Sequence, residues 1–218
     1  MSKNIICTLE DVTKRYGPET LLGPISLCLH SGEVLGICGA NGAGKTTLLE
    51  IIAGITKADS GTVNMTMSAQ KSIGYVPQDI ALYPALTGKR NLEFWAGVNG
   101  IYGKQKEIRI RWLLAKMDLT EKANIRVQQY SGGMRRRLNL AAALVSTPKL
   151  LLLDEPTVGA DQNSVQVMLS TINHVKEQGS SVVFISHIMD ELESICDRII
   201  TLEHGKEMMR PQDKVDSQ

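Results

Sequence analysis

Apolar and polar residues alternate with a period of two in the first part of the chain, which is the pattern of half-buried strands. Residues 5–12 and 25–29 follow this alternation, and Gly17-Pro18 predicts the turn between them. Residues 149–156 and 180–187 are instead dense apolar runs of the kind found in parallel strands covered on both faces. Further strands are predicted for residues 33–39, 61–67 and 72–76, and a hairpin for residues 197–209.

Helical periodicity dominates the middle of the chain. Residues 91–103, 105–119 and 134–146 carry apolar residues at helical spacing and have almost no strand signal. They predict a helical subdomain, about residues 82–144, that is inserted into a sheet domain. Single helices are also predicted for residues 45–54 and 164–178.

These elements predict one α/β domain with a mainly parallel sheet and an N-terminal antiparallel β portion. Its core is expected to comprise residues 1–81 and 145–210, and residues 211–218 are expected to be disordered. Of the 218 residues 43% are apolar, which is enough for one buried core. The net charge of +1, from 24 basic and 23 acidic residues, does not favour a protein built mainly to hold nucleic acid.

The chain shows no secretion or membrane signal. The N-terminal stretch MSKNIICTLED is not typical of a signal peptide. No apolar run approaches the roughly 18 residues of a spanning helix. The four cysteines contain no CxxC pair, so reduced thiols in the cytosol are expected. Any membrane association is therefore expected to come through a partner.

A glycine-rich segment, GANGAGKTT, lies between the predicted strand 33–39 and the predicted helix 45–54. It matches the pattern G-x-x-x-x-G-K-[ST], in which glycines let backbone amides converge on nucleotide phosphates and the following helix adds its N-terminal dipole. In that pattern Lys45 neutralises phosphate oxygens and the Thr46 hydroxyl binds Mg²⁺. The predicted nucleotide contacts in this segment are Gly39, Asn41, Gly42, Gly44, Lys45, Thr46 and Thr47.

The apolar run LLLLDE, residues 150–155, ends in two carboxylates. Ligands bind at the carboxyl ends of strands in open α/β sheets, so both acids are predicted to face the glycine-rich loop. Asp154 is predicted to hold Mg²⁺ through its water shell, and Glu155 to polarise the attacking water as a general base. The two segments together predict a P-loop NTPase core.

With these motifs in this order, the chain from about residue 5 to residue 208 resembles the ATP-binding subunit of an ATP-binding cassette (ABC) transporter. The resemblance implies that Tyr16 in TKRYG stacks on adenine and that Gln78 in YVPQD contacts Mg²⁺ or the attacking water. It also implies that His187 in FISH contacts the γ-phosphate. Glu155, His187 and Gln78 would then form the catalytic set, with ATP and Mg²⁺ as cofactors.

A second glycine-rich stretch, YSGGM, matches the signature motif of that family at Ser131 and Gly133, and Asp161 in TVGAD matches its D-loop. The resemblance implies a head-to-tail dimer with a second ATP-binding subunit, either another copy of this chain or a similar one. In such a dimer Ser131 and Gly133 of one copy face the γ-phosphate held by Lys45 of the other. ATP then holds the two subunits together, and its hydrolysis lets them separate.

Two departures from the commonest family pattern bear on the direction of transport. Met134 stands where the signature usually has Gln, and residues 158–161 read VGAD instead of Ser-Ala-Leu-Asp. Both resemble the ABC-2 exporter branch, so we expect export through a separate integral membrane permease at the cytoplasmic face of the cell membrane. Residues 79–97 are expected to form the groove that receives this membrane subunit. The large aromatic residues of that segment are Tyr83, Phe94 and Trp95.

Two alternatives belong to other functional classes. A soluble ABC-superfamily ATPase that acts on nucleic acid or ribosomes usually has two cassettes, a coiled-coil insert or a basic excess, and the sequence shows none of these. A P-loop kinase would have a lid in place of the signature stretch. The three arginines 135–137 point in different directions on a helix, so we expect a mostly solvated face and no nucleic-acid partner.

Overall fold

The computed structural model of the protein describes residues 4–17 and 19–208. Pro18 of the predicted turn, and the predicted disordered segment 211–218, lie outside these described residues. The strands are β1 (Ile5–Tyr16), β2 (Glu19–His30), β3 (Val34–Gly39), β4 (Ser60–Met65), β5 (Ile73–Val76), β6 (Leu150–Asp154), β7 (Ser181–Ile185), β8 (Arg198–Glu203) and β9 (Lys206–Met208). The helices are α1 (Lys45–Ile52), α2 (Met67–Gln70), α3 (Gly88–Val98), α4 (Gly103–Lys116), α5 (Gly132–Ala143), α6 (Gln162–Glu177) and α7 (Met189–Ile195).

Within residues 4–17 and 19–208 the strands form two sheets. The larger sheet has the order β5-β6-β7-β3-β8-β9, and its neighbouring strands are parallel except for the hairpin β8–β9. The smaller sheet, β2-β1-β4, is antiparallel. This arrangement confirms the predicted α/β class, with its mainly parallel sheet and its N-terminal antiparallel portion.

The interior strand β6, which lies between β5 and β7, is buried along its whole length. Leu150 and Leu152 pack in the core that β1, β2 and α1 cover, whereas Leu151 and Leu153 pack in the core shared with α5 and α6. Side chains alternate across a strand, so a strand with a core on each face has to be apolar at every position. This is the physical reason why the dense apolar runs of the sequence predicted central strands.

The chain between β5 and β6 is mainly helical, as its periodicity predicted. It contains α3, α4 and α5 as its long helices, and short 3₁₀ helices cover Thr120–Lys122 and Val127–Gln129. The exact limits of the subdomain, residues 82 and 144, stay a prediction. No helix in the described part of the chain combines the length and apolarity that crossing a bilayer requires.

One local secondary-structure prediction is wrong, and one short helix was missed. Residue 67 was assigned to a strand, but Met67 begins α2, because the Thr66 side chain accepts a hydrogen bond from the amide of Ala69 and caps the helix. The short helix α7 was not predicted at all, since its seven residues are too few to show a helical period.

The arginine run was also misinterpreted. Arg135 is exposed, but Arg136 is half-buried and Arg137 is buried. Arg137 donates to the carbonyl of Met117 at 2.6 Å and contacts the carboxylate of Asp118 at 3.3 Å. Two of the three arginines therefore anchor α5 to neighbouring segments instead of forming a solvated face.

Candidate functional site

A cavity of about 590 Å³ opens at the carboxyl end of β3. The chain leaves the sheet there, passes through the glycine-rich loop and enters α1 at Lys45. The cavity lining contains every loop residue that was predicted to contact nucleotide, together with the three predicted catalytic residues and Ala40, which was not predicted. The lining residues are Gly39, Ala40, Asn41, Gly42, Gly44, Lys45, Thr46, Thr47, Gln78, Glu155 and His187.

Two glycines give this loop its path. Gly39 has a φ of 147°, and a Cβ at this position would run into the carbonyl oxygen of Leu202 on the neighbouring strand β8. Gly44 has a φ of 94° and is the N-cap of α1. Residues with side chains rarely adopt such angles. The glycines therefore allow the loop amides to converge at the N-terminus of α1, where backbone donors and the helix dipole favour an anion.

The loop holds a cationic side chain inside the cavity. Lys45 is buried, and its Nζ donates to the carbonyl oxygens of Gly39 at 2.9 Å and of Ala40 at 3.0 Å. An ammonium group has three donors and no acceptor, so these two contacts leave donor capacity for an oxygen anion. The arrangement places a positive charge beside the converging amides.

A buried carboxylate lies beneath the loop at the end of β6. Asp154 is 1% exposed, and its Oδ2 has no hydrogen-bond partner in the described structure. Burial raises the pKa of Asp154, while a hydrogen bond with the Thr46 side chain acts in the opposite direction. A carboxylate and a hydroxyl are the hard oxygen ligands that Mg²⁺ takes beside waters and phosphates. These two side chains therefore fit a Mg²⁺ site that a nucleotide would complete.

Glu155 lies where three segments meet. One of its carboxylate oxygens, Oε2, accepts a hydrogen bond from Nε2 of Gln78 at 3.2 Å, and the other, Oε1, is 3.7 Å from Nδ1 of His187. Glu155 also has a φ of 46°, which is uncommon for a residue with a side chain. Backbone in such regions persists where the surrounding structure enforces it, and it is concentrated at functional sites. The structure thus brings the three predicted catalytic side chains together.

Glu191 supports this constellation, and the sequence did not reveal it. Its Oε2 accepts hydrogen bonds from Thr157 at 2.7 Å and from Ser186 at 3.0 Å, and all three residues are buried. Thr157 follows Glu155 by two residues, and Ser186 immediately precedes His187. The carboxylate of α7 therefore ties together the two loops that carry these side chains. The sequence signal that could have revealed Glu191 is its spacing, four residues or about one helical turn after His187 of FISH.

The signature stretch forms a second cluster with the D-loop. Ser131 is the N-cap of α5 and accepts a hydrogen bond from the amide of Met134 at 3.2 Å. Asp161 caps α6 in the same way, accepting from the amide and the hydroxyl of Ser164 at 2.9 and 2.8 Å. Gly133 packs so closely on Asp161 and Ser164 that a Cβ would collide with both side chains. The pKa of Asp161 is lowered by the hydrogen bond from the Ser164 amide.

Five predicted site residues do not line the cavity that the structure describes: the buried Asp154 beside it, and Tyr16, Ser131, Gly133 and Asp161. Tyr16 lies at the end of β1, is half exposed, and has Nζ of Lys14 at 5.6 Å from its ring centroid. The single chain therefore assembles a phosphate site and a separate signature cluster, and it leaves an adenine contact at Tyr16 as a prediction.

The comparisons with known proteins identify a family for this chain. The family model described as "ABC transporter" matches residues 22–158, which include the phosphate loop, Gln78, the signature stretch and β6. The linearmycin resistance ATP-binding protein LnrL of Bacillus subtilis is 41% identical over 205 residues, covering 90% of this chain and 66% of its own. The Nod factor export ATP-binding protein I of Rhizobium etli is 36% identical over 216 residues, covering 94% and 68%.

Solved structures show the same fold. A structure described as the ATP-binding subunit of an ABC transporter superposes with a TM-score of 0.85 at 24% identity, covering 94% of this chain and 88% of that one. Among the curated relatives the coverage is lower. The chain spans about two thirds of their length, 66% for the linearmycin resistance protein and 68% for the Nod factor export protein.

The two signature glycines provide a matched test of the second cluster. In Gly133→Ala the new methyl collides with Asp161 and Ser164, so we expect the free energy of unfolding to fall by about 1–3 kcal/mol. In Gly132→Ala the nearest atom is the carbonyl oxygen of Gly159 at 3.6 Å, an ordinary contact, and the helical alanine should leave stability unchanged or raise it by up to about 1 kcal/mol. Urea denaturation measures both. Equal losses for the two variants would contradict the packing described here.

Proposed function

This chain belongs to the ABC transporter family, and we propose that it is the ATP-hydrolysing motor subunit of an exporter, acting through a separate membrane subunit. The observation that carries the proposal is the contact of Glu155 with Gln78 and His187 on the wall of the cavity that the phosphate loop and Lys45 line. An anion site alone would bind nucleotide. A carboxylate held beside it supplies the base that hydrolysis needs.

ATP is proposed to bind with its β- and γ-phosphates on the loop amides. Lys45 then exchanges its carbonyl contacts with Gly39 and Ala40 for phosphate oxygens, and Tyr16 stacks on adenine. Thr46 and Asp154 would hold Mg²⁺, with Gln78 beside it. When bound, this ion would offset the negative charge of the phosphates, including the charge that develops during transfer.

Glu155 is proposed to take the proton of the attacking water. The water oxygen attacks the γ-phosphorus, the proton moves to the Glu155 carboxylate, and the bond to the β-phosphate oxygen breaks to leave ADP and phosphate. Gln78 and His187 contact different oxygens of Glu155, so they orient the carboxylate and leave a lone-pair direction on each oxygen that can accept from the water. Glu191 supports both loops from beneath.

A second subunit is proposed to complete the site. Ser131 and Gly133 lie apart from the cavity lining of their own chain, at the N-terminus of α5, where a helix favours an anion. In a head-to-tail dimer they would contact the γ-phosphate bound by the other subunit, with Asp161 at the same interface. The separation of the two clusters within one chain supports this arrangement.

The membrane partner is proposed to dock on α3. Tyr83 and Phe94 are 46% and 40% exposed, their ring centroids lie 4.7 Å apart, and Trp95 stands 5.4 Å from Phe94. Trp95 also lines a cavity of about 350 Å³ between β5, α3 and α5, and its buried Nε1 has no partner among the described residues. Exposed aromatic rings beside a groove are typical of binding hot spots. The chain would then work at the cytoplasmic face of the membrane.

The names of the relatives support export. One is described as a resistance protein and another as an export protein, and both are ATP-binding proteins. These names do not favour the alternative of a soluble ATPase that acts on nucleic acid or ribosomes. The transported substrate would be determined by the membrane subunit.

The hydrolytic role of Glu155 has a direct test. Glu155→Gln keeps the shape of the side chain but cannot accept a proton, so kcat for ATP should fall about 10²–10⁴-fold. ATP affinity should be retained, because the phosphate loop and Lys45 are untouched. A phosphate-release assay and equilibrium nucleotide binding measure the two quantities. Glu177→Gln, at an exposed acid at the end of α6, is the control and should match the wild type. Wild-type turnover by Glu155→Gln would exclude Glu155 as the base.

Membrane docking is tested by affinity purification of the tagged chain from detergent-solubilised membranes of its source cells. We expect a polytopic membrane protein at stoichiometric yield, and Phe94→Ala should reduce that yield about tenfold, the effect of removing an aromatic anchor. Ile108→Ala, at a similarly exposed apolar residue on α4, should not change it. Recovery of ribosomes or only non-membrane proteins would reject the transporter assignment. Equal loss with both variants would reject the α3 surface.

A further inference from the structure

The side chain of Arg136 joins the two segments that hold Glu155. Its Nε donates to the carbonyl oxygen of Val158 at 3.1 Å, and its Nη1 donates to the carbonyl oxygen of Gln78. Neither contact was predicted from the sequence. Both carbonyls belong to loops that flank the cavity, one following β5 and the other following β6.

Each of these two loops makes its own contact with Glu155. The side-chain amide of Gln78 donates to Oε2 of Glu155 at 3.2 Å, and the backbone amide of Val158 donates to the Glu155 carbonyl at 3.3 Å. Arg136 is therefore connected to Glu155 through one intermediate residue in each of two ways, through Gln78 and through Val158. A single guanidinium fixes both the position of the Gln78 backbone and the turn that follows Glu155.

The guanidinium lies in a partly buried, acidic environment. Burial lowers the pKa of Arg136, and the carboxylates of Asp79 and Glu155 act in the opposite direction. An arginine stays charged in such a place because its ordinary pKa is far above neutrality. Its planar fork can donate in two directions at fixed angles, which the single ammonium of a lysine cannot do with the same geometry.

Arg136 also lies on the helix that begins at the signature stretch. Ser131 is five residues earlier, which is about 7.5 Å along the axis of α5. The intervening turns are regular helix, so a shift of the signature end moves Arg136 with it. The first residues of α5 and the two carbonyls that Arg136 holds are thus linked by one rigid element.

We propose that Arg136 is a positioning residue that sets the placement of Gln78 and Glu155 according to the position of the signature end of α5. This inference rests on the proposed function, in which the signature end contacts nucleotide on the other subunit. Engagement of that nucleotide then stabilises the arrangement of Gln78 and Glu155 in the same chain. Arg136 thereby links the signature contact with the neighbouring site to hydrolysis in its own.

The expected consequence is a selective loss of turnover. Arg136→Ala removes two hydrogen bonds from a charged donor but leaves Lys45 and the phosphate loop intact. We expect kcat to fall about 10–100-fold while KM for ATP and equilibrium ATP binding change less than about threefold. Arg136→Lys should retain an intermediate kcat, because it keeps the charge but loses the fork. Arg135→Ala, at the exposed neighbour, is the matched control and should match the wild type.

A double-mutant cycle separates positioning from a purely structural contribution. If Arg136 acts through Gln78, Arg136→Ala in a Gln78→Ala background should reduce kcat much less than it does alone. Losses that multiply would overturn the proposal. So would parallel losses of kcat, ATP affinity and melting temperature in Arg136→Lys, since these indicate a damaged fold. Absence of ATPase activity in the wild-type chain and its dimer would contradict the proposed function itself, which is a distinguishable result.

Discussion

A carboxylate buried at the end of the central sheet is the constraint on which the rest of the site depends. Asp154 ends a strand that is covered on both faces, and its Oδ2 has no partner among the described residues. A buried, unpaired charge is unfavourable, so such a group either stays protonated or is matched by a cation. The groups around Asp154 fit a bound cation. The Thr46 hydroxyl of α1 lies beside the carboxylate, and the glycine loop offers a site for an anion whose oxygens would complete the ligands of that cation. In the proposed function, the phosphate loop and the acidic strand end are therefore two halves of one site.

The parts of this structure that could be predicted from the sequence are those that local chemistry determines. The loop from Gly39 to Thr47 requires glycines for backbone reasons. Residues 150–153 of β6 and 182–185 of β7 are all apolar because both faces of these strands are covered. Strand ends were harder to predict. β1 continues to Tyr16, beyond the predicted end at residue 12, because pairing with β2 and β4 overrides the loss of alternation. The helices α2 and α7 were not predicted, because they are too short to show a helical period of apolar residues.

Long-range polar contacts were beyond the reach of sequence patterns. Arg136 and Arg137 look like a solvated run, yet one holds the carbonyls of Gln78 and Val158 and the other that of Met117. Glu191 likewise joins Thr157 and Ser186 across the end of the sheet. These partners are backbone carbonyls and small hydroxyls distant in sequence, which no spacing rule identifies. The contacts of Arg136 and Glu191 hold the segments around Glu155, so the candidate catalytic residues could be named from the sequence whereas their supports could not.

The separation of the phosphate cavity from the signature cluster leads to one central claim, that nucleotide is shared between two subunits. Sedimentation velocity of the Glu155→Gln chain, with and without saturating ATP, tests it most directly. We expect a monomer without ATP and a dimer with it. Adding Ser131→Arg should abolish the dimer while a single chain still binds ATP through Lys45. An ATP-saturated monomer would contradict the pairing of two copies of this chain, and a dimer that Ser131→Arg leaves intact would contradict the sharing of nucleotide at the signature end.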